Sequence, residues 1–381
     1  MTDVVVIGGG CIGLASAIAL ARRGTRVTLV ERGLPGAANS TLTGGGIRQQ
    51  FGTELNIRLS QMSAETWDQF AERYGVDPLF RRIGYLFLAQ SDTQAATLAS
   101  HVRLQNKLGV DSEFLDAAEI ARRWPGLSSR GFRAAGFRAA DGWANQHRII
   151  DGLVRGAIVA GVDLLAGTEA LALELSGKRI VGVATTAGRI AAGAVLVATG
   201  PWVGPLLGPV GLTVPVVGRR HQLLIVEPVK PLPPSLPWLI GVGDGVHVRG
   251  DAERRALVGG FLGEDRAVDA DGYDTRADDG WTRAVLEAAE RAFGIVGPDA
   301  AVQHGWAGLY PGTPDRHPII DQLAEGLFVA LGFSGTGLMH APAAGMLSAE
   351  LIADGAIRSV DARLLSANRF GGAPAAEPTG F

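Results

Sequence analysis

The chain is poor in sulfur and in lysine, and each shortage removes a class of function. One cysteine, Cys11, stands in 381 residues. No disulfide can form within the chain, so a reducing compartment such as the cytoplasm is the expected setting. The seven histidines are scattered, with no H-x-x-x-H pair and no cysteine cluster, and no metal site is expected. Only three lysines occur, Lys107, Lys178 and Lys230. A net charge of −3 offers no basic face to nucleic acid or to an acidic membrane. No uncharged apolar stretch reaches the length of a bilayer span. The apolar run at the start is four residues long without a basic segment before it, unlike a secretory signal.

Glycine is plentiful, at 54 residues, and hydrophobic residues make up 47%. A chain of this length favours two domains over one core. The most informative stretch is Val4-Val5-Val6-Ile7 running into Gly8-Gly9-Gly10-Cys11-Ile12-Gly13. It reads as a strand, a glycine turn and an amphipathic helix from Leu14 to Arg23. Val27-Thr28-Leu29-Val30 is a second strand, and it ends at Glu31. Gly8 suits the tight turn, Gly10 a close approach to a pyrophosphate, and Gly13 close packing of helix on sheet. The helix N-terminus offers free N–H groups to phosphates. Glu31 stands at the interval expected of an acid that binds a ribose hydroxyl, and it would repel a 2′-phosphate. Cys11 reads as a small packed residue rather than a nucleophile.

Gly33 to Gly46 reads as a glycine-rich loop able to approach a ligand. Helices are expected over Thr53 to Tyr74, Thr93 to Leu108, Gln146 to Ala160 and Trp281 to Phe293. Strands are expected over Ile83 to Leu88, Val162 to Leu165 and Val216 to Val226. Ile180 to Thr186 and Arg189 to Ala198 form a hairpin, ending in Thr199-Gly200, a second place where backbone can approach a cofactor. Pro228 to Pro237 is a surface loop, and Val246 to Val248 pairs with Ala256 to Val258. Leu327 to Leu331 is a buried strand that feeds Gly332-Phe333-Ser334-Gly335-Thr336-Gly337 and then a helix from about Ala341 to Ala353. No internal repeat is evident. The order predicts a mixed α/β fold: a nucleotide-binding domain from residues 1–80, 141–213 and 306–370, an antiparallel-sheet substrate domain from 81–140 and 214–305, and a loose tail over 371–381.

Five segments in the same order resemble the D-amino acid oxidase-like family of FAD oxidoreductases, in its sarcosine oxidase and glycine oxidase branch. They are Val6 to Gly13, Gly44 to Phe51, Val195 to Trp202, Thr313 to Ile320 and Gly332 to Met339. The resemblance implies a Rossmann-like domain built from discontinuous segments, with FAD as cofactor. Gly8, Gly10, Cys11, Ile12 and Gly13 would hold its pyrophosphate, and Glu31 and Arg32 its adenosine. The loop Gly44-Gly45-Gly46 would run beside the isoalloxazine, and Ser40, Thr43, Thr199, Gly200 and Gly308 would also bind the cofactor. Gly335, Thr336, Gly337, Leu338 and Met339 would point backbone N–H groups at the pyrimidine edge, where a helix N-terminus favours negative charge.

Departures from the family carry as much information. Gly308 stands where covalent relatives have a flavin-bonded cysteine, and the first histidine is His101, so non-covalent FAD is expected. Tyr310 replaces a carboxylate-clamping arginine, and Met339 a clamping lysine. Arg48, in the glycine loop, is the remaining cation, although a surface ion pair is its plainer reading. His247 matches a lysine that promotes reaction with dioxygen, and could supply that charge if protonated. It could equally be a satisfied strand histidine, and Tyr310 a core residue. The Arg219-Arg220-His221 run is more often a solvated face. The residues implied to be catalytic are therefore Arg48, His247 and Tyr310. The expected reaction removes a hydride from the C–N bond of an amino acid or secondary amine and gives an imine that hydrolyses. Dioxygen or an electron carrier would be the acceptor. Oxidation of a hydroxy acid's C–O bond, or a flavin-binding subunit or assembly factor with weak turnover, remains an alternative, and a homo- or hetero-oligomer is left open.

Overall fold

The computed structural model describes residues 2–251, 254–262, 267–297, 299–371 and 377. Thr2–Ile7 lies at the middle of an eight-stranded sheet ordered Ile319–Ala324, Leu327–Leu331, Gly188–Val197, Thr2–Ile7, Val27–Glu31, Asp163–Ala166. The last five of these run parallel, and Ile319–Ala324 is antiparallel to its neighbour. Ala170–Ser176 and Arg179–Thr185 extend Gly188–Val197 as an antiparallel meander. Val4–Ile7 and Leu327–Leu331 are buried throughout, as their unbroken apolar runs require of strands covered on both faces.

The first helix, Cys11–Ala21, is buried nearly all round, not amphipathic as its sequence suggested. It is enclosed by the sheet and by the helices Gln146–Val159 and Gly337–Ala353. A Cβ at Gly345 would stand 2.5 Å from the Ala15 carbonyl oxygen, so that glycine sets how closely two helices pack. Gly337–Ala353 begins four residues before the start read from the sequence, and Pro342 lies inside it. A proline in a helix interior removes one backbone hydrogen bond, which made the earlier turn look like loop. The stretch read as one helix from Thr53 to Tyr74 is two, Glu54–Asp68 and Phe70–Tyr74, broken at Gln69.

The second sheet is ordered Ala301–Gly312, Val217–Glu227, Ala256–Gly259, His247–Gly250, Trp238–Gly241, Tyr85–Ala89, Ala134–Arg138, Glu113–Asp116. It is antiparallel except where Trp238–Gly241 meets Tyr85–Ala89 in parallel. Helix Asp279–Phe293 covers one face through Trp281, Val285, Ala289 and Phe293. The strand Ala301–Gly312 was not read from the sequence, where Gly305, Gly308 and Pro311-Gly312 interrupt any pattern. It pairs along its whole length with Val217–Glu227, which places residues 306–312 in this sheet. A ribbon of Gly46–Ile47 and Gly142–Trp143 joins the two parts. The tail expected over 371–381 lies outside the described residues except for Gly371 and Glu377. Glu377 is buried, and its carboxylate accepts from the Gly52 N–H at 2.9 Å and from Asn56 Nδ2 at 3.0 Å.

Candidate functional site

A cleft open to solvent runs between the two sheets. At one end it starts from the glycine turn. Gly8 has φ +107°, and a Cβ there would stand 2.6 Å from the Ala198 carbonyl oxygen. A Cβ at Gly13 would collide with the Gly8 carbonyl oxygen, so Gly13 lets the helix approach the strand. Gly10 caps the helix without a side chain, which leaves first-turn N–H groups facing the cleft for an anion. The Cys11 N–H donates to Ser40 Oγ at 3.0 Å. Burial pushes the Cys11 thiol pKa up, as befits a packed residue. Glu31 accepts from the Gly9 and Gly33 N–H groups at 2.7 and 2.8 Å, which orients its carboxylate at the cleft wall.

Of the cofactor residues expected from the sequence, Gly8, Gly10, Cys11, Ile12, Glu31, Arg32, Ser40, Thr43, Thr199, Gly200, Gly308, Gly335, Gly337 and Leu338 line this cleft. Gly13, Gly44, Gly45, Thr336 and Met339 are not among the lining residues, although each adjoins one or lies within two positions of one in the chain. Three cleft residues have buried polar atoms without a partner: Asn39 Nδ2, Thr199 Oγ1 and His221 Nδ1. A buried polar group left unpaired is costly, so these atoms mark where a polar ligand completes the structure. Glycine cradle, oriented acid, helix N-terminus and unpaired donors together fit a dinucleotide of the kind FAD supplies.

The other end is walled by His221, Leu223, His247, Phe261 and Tyr310. The His221 ring lies 4.2 Å from that of Tyr310 and 4.8 Å from that of Phe261. Tyr310 packs against Gly335, where a Cβ would meet its ring at 2.5 Å. Burial lowers the His247 pKa to about 4. Its Nδ1 lies 3.0 Å from the Gly245 carbonyl oxygen. A carbonyl only accepts, so Nδ1 carries the hydrogen and Nε2 is left with a lone pair. Burial, with the charge of Arg219 next, lowers His221 to about 3. Both rings are neutral near pH 7, so the positive charge expected of His247 is opposed by its own burial.

Arg48 does not line the cleft. It is 3% exposed and closes one end of a smaller cavity, with Trp67, Asp141 and Met339. Its Nη1 donates to the Gln50 carbonyl, and its guanidinium carbon stands 3.9 Å from the Phe51 ring centre. Nη2 has no hydrogen-bond partner. Burial lowers its pKa, and the nearby Glu377 and Asp141 carboxylates oppose that shift. Met339 gives its carbonyl to Trp67 Nε1 at 2.9 Å.

Several residues at the site carried no sequence signal. Asn39 ties the early loop to the Leu309 N–H at 2.9 Å. Asp271 accepts from Trp202 Nε1 at 2.7 Å and from Arg32 at 3.2 Å, bridging the cleft mouth. Arg249 lies under the Gly44 loop, its Nη2 donating to the Gly44 carbonyl. Each depends on segments far apart in the chain, and only the fold brings them together. No helix of the described residues is long and apolar enough to cross a membrane. Among the same residues no group of histidine, cysteine, aspartate and glutamate could hold a metal.

The comparisons with known proteins agree with this geometry. A family model described as FAD dependent oxidoreductase matches residues 3–351. A glycine oxidase of Pseudomonas aeruginosa is 30% identical over 92% of this chain and 94% of its own. The sarcosine oxidase subunit beta of Rhodobacter capsulatus is 26% identical, over 93% and 85% respectively. Among solved structures, L-proline dehydrogenase from P. horikoshii superposes with a TM-score of 0.87 at 30% identity, covering 97% of this chain and 98% of that one.

Proposed function

The chain belongs to the DAO family of FAD dependent oxidoreductases, and from that premise we propose that it oxidises the C–N bond of an amino acid or secondary amine bearing a carboxylate. Glycine oxidase and sarcosine oxidase subunit beta, by their names, act on such molecules. The observation that carries the reading is Arg48, a buried guanidinium whose Nη2 has no hydrogen-bond partner although the Glu377 and Asp141 carboxylates lie near enough to act on its charge. A buried donor left unpaired is costly. A substrate carboxylate that reached it past Tyr310 would supply the missing bond.

FAD, when bound, supplies the two-electron acceptor; the protein supplies orientation, a dry site and the protonation state of the amine. The largely apolar wall of Leu223, Phe261 and Tyr310, with His221 and His247 neutral, favours a neutral amine, because burial disfavours the charged form. A neutral amine has the lone pair that C–N oxidation needs, and the resulting imine hydrolyses on release. Gly308 in place of a cysteine supports FAD held without a covalent bond. The only cation lining the cleft among the described residues is Arg32, at the dinucleotide end. That supports an electron carrier over dioxygen as acceptor, and relatives named as a subunit leave room for a partner chain that receives the electrons.

The test is anaerobic mixing of the holoprotein with free amino acids, N-alkylated amino acids, decarboxylated amines and hydroxy acids, followed through the visible flavin band. Bleaching by carboxylated amines alone is expected. Bleaching by hydroxy acids and not by amines would overturn the reading.

A further inference from the structure

Arg249 has no part in the chemistry above, yet it is among the most completely enclosed charges in the molecule. It lies on the strand His247–Gly250, two residues after His247 and so on the same side of the sheet. Its side chain is 3% exposed. The guanidinium carbon stands 3.8 Å from the ring centre of Trp143 and 5.2 Å from that of Trp238. Nη1 donates to the Gly250 carbonyl at 3.1 Å and to Asp251 Oδ1 at 3.2 Å. Nη2 donates to the Gly44 carbonyl at 3.0 Å, across 205 residues of sequence.

The partner loop is shaped for this contact. A Cβ at Gly44 would stand 2.9 Å from the Trp238 ring, and one at Gly46 would collide with the Tyr85 hydroxyl. Gly45, at φ +76°, has its carbonyl bonded to the Ala144 N–H at 2.9 Å. Gly46 pairs with Trp143, whose ring lies under the guanidinium. Three successive glycines thus let one loop lie flat on the second sheet, with a planar fork fixing it from beneath. A guanidinium can stack on an aromatic face and keep its in-plane donors free; an ammonium cannot.

We propose that Arg249 is a positioning residue that latches the Gly44–Gly46 loop to the strand carrying His247, so that the flavin-side loop and the substrate-side wall are held as one body. The proposal rests on the reading that this loop borders the flavin ring system. Without the latch the loop loses its only side-chain hydrogen bond from the second sheet among the described residues, while the glycine contacts remain.

The experiment compares Arg249→Met and Arg249→Lys with the parent. Hydrogen–deuterium exchange of residues 44–47 is measured in the protein stripped of FAD, and the flavin band and reduction potential in the loaded protein. Arg249→Met is expected to speed exchange at 44–47 at least tenfold while the strand Val27–Glu31 is unchanged, and to shift both flavin properties. Arg249→Lys keeps the charge but cannot hold three acceptors in one plane, so it should behave like the Met variant. Should Arg249→Met not fold, Trp143→Leu, which removes the facing ring and spares the fork, is expected to give the same pattern at smaller amplitude. Unchanged exchange at 44–47, full rescue by lysine, or a rise spread evenly over both sheets would overturn the latch. Raised exchange with an unmoved flavin band and potential would overturn the positioning role. Failure of the substrate reading appears elsewhere, as bleaching by the wrong compound class.

Discussion

Replacing Arg48 with methionine should slow the oxidation of carboxylated substrates while leaving folding stability nearly unchanged. Methionine fills a comparable volume between Phe51 and the smaller cavity and carries no charge. The variant loses a charge-assisted hydrogen bond to the Gln50 carbonyl, about 1.5–3 kcal/mol, and a stack on Phe51 at 3.9 Å, about 0.5–2 kcal/mol. Against this stands relief of a buried guanidinium, whose burial costs several kcal/mol. The two are of similar size, so the Tm of the FAD-free protein should move by only a few degrees. Loss of the carboxylate's partner costs about 2–5 kcal/mol in the substrate complex, or about 30-fold to several thousand-fold in the apparent second-order rate of flavin bleaching. The assay is anaerobic stopped-flow bleaching, run with a carboxylated amine and with its methyl ester. The loss should be confined to the acid. An equal loss with the ester, or a fall in Tm of about ten degrees or more, would refute the reasoning, because Arg48 would then be a structural residue and not an anchor.

Three further outcomes are expected. His221, His247 and His340 are held neutral by burial, at about 3, 4 and 3; the unfolded chain therefore binds more protons below the ordinary histidine value of about 6.5, and stability should fall as pH drops from there towards 4. Thermal melts across that range check it, and His340→Asn should flatten the slope. Gly13→Ala should abolish FAD retention, since its methyl meets the Gly8 backbone oxygen, which no side-chain rotation can move; flavin content after gel filtration is the readout, and full occupancy would contradict the role given to Gly13. Asp271→Asn should quicken FAD release a few-fold by weakening the bridge to Arg32 and Trp202, with the effect kept small by exposure; the flavin recovered in the filtrate at intervals after dilution measures it, and an unchanged rate would remove the bridge from the cleft mouth.

The dinucleotide end of the site was legible because its chemistry is local. Gly8, Gly10, Gly13 and Glu31 act through backbone turns and a strand end close together in sequence, and their spacing records it. The substrate end was legible only in pieces. Tyr310 and His247 do line the cleft, but the neutrality of His247 follows from burial by other segments and from one bond to Gly245, neither of which has a sequence pattern. Arg48 stood out as the remaining cation, while its sealed position behind the cleft and its unpaired Nη2 emerged only from the packing of Phe51 and Phe87 around it. Arg249 gave no signal, since its partners Gly44, Trp143 and Trp238 come from three distant segments. In the fold, the strand Ala301–Gly312 was hidden by its glycines and proline, and the start of Gly337–Ala353 by Pro342. Both elements are imposed by tertiary pairing that overrides local propensity.

The most direct test of C–N oxidation is an anaerobic titration of the holoprotein with an N-alkylated amino acid, following the flavin band and quantifying the amine and carbonyl compound released. One equivalent of each per flavin bleached is the predicted result. A band that every carboxylated amine leaves intact, but that a hydroxy acid bleaches with release of an oxo acid and no amine, would contradict it.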